Sequence, residues 1–118
     1  MQPETSYPAI IGRILEHERK EAGFDQAAFA EQMGLTQSAW SRIERGQSGL
    51  SIEHLLKISK ILNTKPHKIV ESADYAAKQI ERKGIVVHPN VLTNSDKVIA
   101  ALGLAALGMM ILAILAKK

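Results

Sequence analysis

QAAFAEQMGLTQSAWSRIERG, residues 26–46, decides how this 118-residue chain folds. Phe29, Ala30 and Met33 fall on one side of a helix over Gln26–Met33, and Gly34 stops it. Leu35 fills a tight turn, Thr36 offers a capping hydroxyl, and residues 37–45 form a second short helix ending at Gly46. The stretch reads as helix, turn, helix. Ala30 must be small because the two helices cross there, and Gly34 supplies the backbone freedom of the turn. Phe29, Met33, Leu35, Trp40 and Ile43 form the apolar wedge between them.

At about 100° per residue the second helix has two unlike faces. Ala39, Trp40, Ile43 and Glu44 point to one side; Gln37, Ser38, Ser41, Arg42 and Arg45 point to the other. The outer face is wholly polar and carries two arginines. Gln pairs bidentately with adenine and Arg with guanine in the major groove, so such a face has the chemistry of base readout. A merely solvated helix face is the bland alternative.

Working outward, a preceding helix over residues 8–22 carries Ile10, Ile11, Ile14 and Leu15 at amphipathic spacing, closed by Gly23, and Asp25 is placed to cap the next helix. After the motif, Ser51 starts a fourth helix with Ile52, Leu55, Leu56, Ile58, Ser59 and Leu62 on its apolar side. Pro66 suits the first turn of a fifth helix reaching about residue 83, where Ile69, Ala73, Ala76 and Ile80 make a narrow seam. Residues 84–96, GIVVHPNVLTNSD, read as an extended connector, with Asn94, Ser95 or Asp96 available to cap a final helix.

The motif resembles the Cro/repressor-type (XRE) helix-turn-helix family, with the fit extending through Arg19–Gly23 and residues 51–63. The resemblance implies an all-α, five-helix DNA-binding domain over residues 8–70, preceded by a tail at residues 1–7. It also implies base reading by Gln37, Ser38 and Arg42, and backbone contacts from Gln26, Ser41 and Arg45. Glu44 is expected to pair with Arg19 as a partly buried structural ion pair, whose disruption costs about 3 to 5 kcal/mol if truly buried. Trp40 departs from the family, which places a smaller aliphatic residue there; it either pads the core, the expected outcome, or is partly exposed. Members bind palindromic double-stranded DNA operators as homodimers. Residues 66–83 are then the candidate dimer element through Ile69, Ala73, Ala76 and Ile80, or equally a cover for the domain's own core.

Charge must be located before it is used. Residues 1–96 hold 12 Lys/Arg and 12 Asp/Glu, so the net +3 comes from Lys97, Lys117 and Lys118. Residues 36–70 nevertheless carry six bases against two acids, a basic stretch that includes the motif. Lys57, Lys60, Lys65 and Lys68 extend it, most of them as ordinary solvated side chains.

There are no cysteines, and His17, His54, His67 and His88 stand singly without ligand spacing, so no metal site is expected. Without a nucleophile and base, paired carboxylates or a phosphate loop, neither cofactor nor enzyme activity is expected.

The C-terminal residues 98–116 contain no polar side chain, and as a helix they span about 28 Å, close to a hydrocarbon core of about 30 Å. The expectation is a single-pass transmembrane anchor over residues 97–118 in the bacterial inner membrane, with lipid as partner and the N-terminal domain cytoplasmic. Ala101, Ala105 and Gly108 make a small-residue stripe that could pair such helices. The combined reading is a tethered transcriptional regulator, most simply a repressor. The alternatives are a membrane-anchored protein-docking module like the rod-shape family's cytoskeletal adaptors, or an antitoxin or immunity-type autoregulator.

Overall fold

The computed structural model describes residues 2–92 and 103–118. Its elements in order are strand β1 (Glu4–Ser6), helices α1 (Tyr7–Glu21), α2 (Gln26–Met33), α3 (Gln37–Glu44), α4 (Ile52–Ile61) and α5 (Pro66–Arg82), strand β2 (Val86–His88) and helix α6 (Leu104–Ala116).

Local chemistry starts the first four helices. The hydroxyl of Ser6 accepts from the Ala9 amide at 3.1 Å, Asp25 from Ala28 at 2.7 Å, Thr36 from Ala39 at 3.1 Å and Ser51 from His54 at 3.0 Å. Each cap satisfies an amide that has no partner inside its helix. At α5 there is no side-chain cap, and Pro66 stands in the first turn, where a missing N–H costs nothing.

α1 is the hub of the packing, in contact with α3, α5, α6 and β1. Ile10 and Leu15 of α1, Phe29 and Met33 of α2, Trp40 and Ile43 of α3, Ile58 of α4 and Ile80 of α5 share one core. At α3 the approach is close enough to exclude side chains. A Cβ on Gly12 would meet the Ile43 carbonyl oxygen at 2.6 Å, and one on Gly46 would meet the Ala9 Cβ at 2.8 Å, so these two glycines let α1 and the end of α3 touch backbone to backbone.

The ends of the chain depart from the expected arrangement. Residues 4–6, expected in a tail, and residues 86–88, expected in an extended connector, form a two-stranded parallel ladder that pairs Glu4 with Val86, Thr5 with Val87 and Ser6 with His88. His88 Nε2 lies 2.8 Å from Glu4 Oε1 across it. The fold is therefore helical with one small strand pair beside α1.

The transmembrane expectation is overturned, and with it the lipid partner and the inner-membrane location. α6 has 13 residues and is about 20 Å long, short of the hydrocarbon thickness. No helix among the described residues is long and apolar enough to cross a membrane. Leu107, Ile111 and Ile114, spaced four and three apart, are buried on one side of α6, which lies against α1 and α5. The C-terminus is also tied down: Lys118 Nζ donates to Glu71 Oε1 at 3.2 Å and sits 5.2 Å from the Tyr75 ring centroid. A helix apolar on every side thus needs no enclosing shell; it lends one face to the core. The expected caps Asn94, Ser95 and Asp96, together with Ala101 and the first part of the expected span, lie outside the described residues.

Candidate nucleic-acid interface

α2 ends at Gly34, whose φ of 72° is left-handed, a conformation that costs glycine little. Lys57 Nζ, reaching across from α4, donates to the Met33 carbonyl at 3.1 Å and satisfies another of the groups freed at that helix end. Three residues later α3 begins under the Thr36 cap. The angle between the helices is held by the Phe29 and Trp40 rings, tilted against each other at 4.7 Å, with Phe24 edge-on to Phe29 at 5.5 Å. Trp40 is fully buried, so it pads the core.

Beneath this apolar contact lies a polar one. Glu44 is 0% exposed, and its carboxylate accepts from Arg19 Nε at 2.6 Å and from another Arg19 guanidinium nitrogen at 3.2 Å. It also accepts from Gln26 Nε2 at 2.8 Å and Trp40 Nε1 at 2.7 Å. Arg19 additionally donates to the Phe24 carbonyl at 2.8 Å. Four hydrogen bonds to one buried carboxylate offset much of what taking it from water costs. Arg13 adds a clamp from outside, donating to the Glu44 carbonyl at 2.6 and 3.2 Å while meeting Glu16 at 3.1 Å.

With Trp40, Ile43 and Glu44 turned inward, the opposite side of α3 faces solvent. Gln37, Ser38, Arg42 and Arg45 are exposed and Ser41 is half-buried, so these five line one surface. Arg42 donates to the Ser38 hydroxyl at 2.9 Å, one turn back along the helix. Gln26 stands apart from the outer surface in part, because one of its amide hydrogens is committed to Glu44; the other remains for a second acceptor.

The four seam residues of α5 are placed elsewhere. Ile69, Ala73, Ala76 and Ile80 are all buried in the chain's own core, so they offer no surface to a second copy. Their narrow spacing matches the contact of α5 with α1 and α6 instead.

Some contributors escaped the sequence reading. Gln26 and Arg13 as supports of Glu44 had no local signal, since their partners are 18 and 31 residues away. Trp40 had one, because it precedes Glu44 by four residues on the same helix face.

The family described as Helix-turn-helix matches residues 15–69. The chain is 35% identical over 66 residues to the HTH-type transcriptional regulator SinR of Bacillus licheniformis, covering 55% of this chain and 60% of that one. It is likewise 35% identical over 63 residues to SinR of Bacillus subtilis (strain 168), covering 52% and 57%. The chain thus spans about three-fifths of the length of these curated relatives. No solved structure matches it. The two relatives are regulators rather than enzymes, and the family match runs from the middle of α1 to the start of α5. Over residues 15–69 the chain is thus similar to a helix-turn-helix.

Proposed function

We propose that this chain is a sequence-specific DNA-binding transcriptional regulator, acting as a repressor by occupying an operator. The observation that carries the reading is the outer face of α3: Gln37, Ser38 and Arg42 exposed together on a helix whose other face is locked by Trp40 and Glu44. In this reading α3 enters the major groove, with Gln37 and Arg42 forming bidentate bonds to base edges and Ser38 holding Arg42 in register. Arg45, Ser41 and the free amide hydrogen of Gln26 face the phosphates. The names of the two relatives support the same class.

The α3 helix has eight residues and reads only a few base pairs, so the operator is expected to hold two half-sites about one DNA turn apart, occupied by two copies. The test is selection of binding sequences from a random pool by the purified chain, then titration of the selected duplex. Replacing Gln37→Ala together with Arg42→Ala should lower affinity by roughly 1 to 3 kcal/mol per lost base contact. Unchanged affinity in that variant would remove α3 as the reading helix.

A further inference from the structure

Beside the contact that joins them, α5 and α6 leave a cavity of about 390 Å³. Tyr75, Gln79 and Arg82, spaced four and three apart, form its wall on α5, with Lys83 at the end of that helix. Met110, Ala113 and Lys117, spaced three and four apart, form its wall on α6, and the buried Ile114 joins them. Clefts that hold small ligands run from about 300 to 1,000 Å³ and are mostly apolar, with a few polar groups that fix orientation.

The charge of this cavity is of one sign and sits at its two ends. Lys118, just past α6, bonds Glu71 and lies over the Tyr75 ring, so the end of α6 lies beside the middle of α5. Lys117 therefore stands at the Tyr75 end of the cavity. Arg82 and Lys83 stand at the other, up to eight residues further along α5 at about 1.5 Å each, or roughly 12 Å. Met110, Ala113 and Ile114 make the stretch between apolar. All three cations are exposed, and among the described residues none of them pairs with a carboxylate. The neighbouring acids of α5 are already taken, Asp74 by Lys78 and Glu71 by Lys118. The groove on the other side of α6 differs in this respect: its Arg13 and Lys20 both meet Glu16.

We propose that the cavity between α5 and α6 binds a small elongated anion, acidic at both ends and apolar between, of the linear dicarboxylate class. Arg82 offers a planar fork to one carboxylate, with Lys83 beside it, and Lys117 meets the other. The methylene chain lies over Met110, Ala113 and Ile114, against the Tyr75 side chain. A monoanion would leave one end of the cavity unanswered, and a short diacid would not reach both. Because the ligand touches both helices, it binds only where α6 is docked on α5 and should hold it there. The assignment stands apart from the regulator reading, since neither the cations nor the apolar floor belong to the helix-turn-helix.

Calorimetric titration of the full chain tests it, with octanedioate as the probe and octanoate, octanediol and succinate as comparators. Octanedioate should bind at least tenfold more tightly than octanoate, and should raise the thermal midpoint by mass action. Octanediol, which lacks charge, and succinate, which lacks length, should give no saturable heat. Arg82→Gln with Lys83→Gln, or Lys117→Gln alone, removes charge at exposed positions and should leave the circular dichroism spectrum unchanged. Each should weaken octanedioate at least tenfold, as the loss of a charged contact does, while octanoate, which can use the remaining end, changes far less. Lys60→Gln, an exposed lysine of α4 away from the cavity, should have no effect. The methyl resonance of Met110 should shift on titration and that of Met33, in the core, should not. A native chain that takes up no octanedioate, octanediol binding as tightly as the diacid, glutamine variants that bind like the native chain, or equal loss on Lys60→Gln would each overturn the assignment.

Discussion

Arg19 and Glu44, 25 residues apart, meet at 2.6 Å beneath the helix-turn-helix, with the Trp40 indole and the Gln26 amide bonded to the same carboxylate. The end of α3 is thereby joined to α1 and to the start of α2 at a single point. Glu44→Gln keeps the shape and removes the charge, leaving the Arg19 guanidinium buried without compensation. The expected loss is about 3 to 5 kcal/mol of stability. Chemical denaturation monitored by the fluorescence of Trp40, the one tryptophan, measures it directly.

The contact between α1 and α3 should tolerate no added methyl. Gly12→Ala directs a Cβ at the backbone carbonyls of Ile43 and Glu44, which cannot swing aside as a side chain tip would. A destabilisation of about 1 to 3 kcal/mol is expected from overpacking. Gly49→Ala, with open space around the added atom, is the matched control and should change the denaturation midpoint little.

α6 should behave as part of the core. Leu107 and Ile111 are each about 1% exposed or less, and truncating either to alanine should cost about 2 to 5 kcal/mol, as for any buried aliphatic side chain. Met109→Ala, on the opposite side, should cost far less. Equal effects at buried and exposed positions in thermal unfolding would show that α6 does not dock as described.

Tyr7 should make stability fall in alkali. Burial first, and the nearby Asp74 carboxylate second, push its phenol above the usual value of about 10. The unfolded chain then loses this proton at lower pH than the folded one, so the stabilisation is complete below about pH 10 and is lost as pH rises through the folded value. Tyr7→Phe should flatten this part of the alkaline decline in the thermal midpoint without altering the profile at neutral pH.

The core of the motif was legible because its determinants are local. Thr36 and Asp25 cap through contacts three residues long, and the split of α3 into an inner Trp40–Ile43–Glu44 side and an outer Gln37–Ser38–Arg42 side follows from helical period alone. The strand pair was hidden for the opposite reason: three residues at each end, Thr5 and Ser6 among them, acquire strand character only from partners some 80 positions away. The last helix misled because LAALGMMILAILA is apolar all round, and periodicity then cannot say which side is covered or by what. Nineteen apolar residues would match a membrane's thickness as one helix, but the helix that docks on α1 and α5 begins only at Leu104. The seam of α5 was ambiguous in a similar way; Ala73 and Ala76 suit close packing whether the neighbour is the same chain or another.

The β1–β2 ladder closes the domain into a ring. The Val86 amide donates to the Pro3 carbonyl at 3.0 Å, the Gln2 side chain donates to the Gly84 carbonyl at 2.7 Å, and Ser6 both ends the strand and caps α1. Chain ends ordinarily fray first, each on its own. Here neither the first turn of α1 nor the last turn of α5 can open without releasing the other, and amide protons at the two sites should exchange together, as one unit.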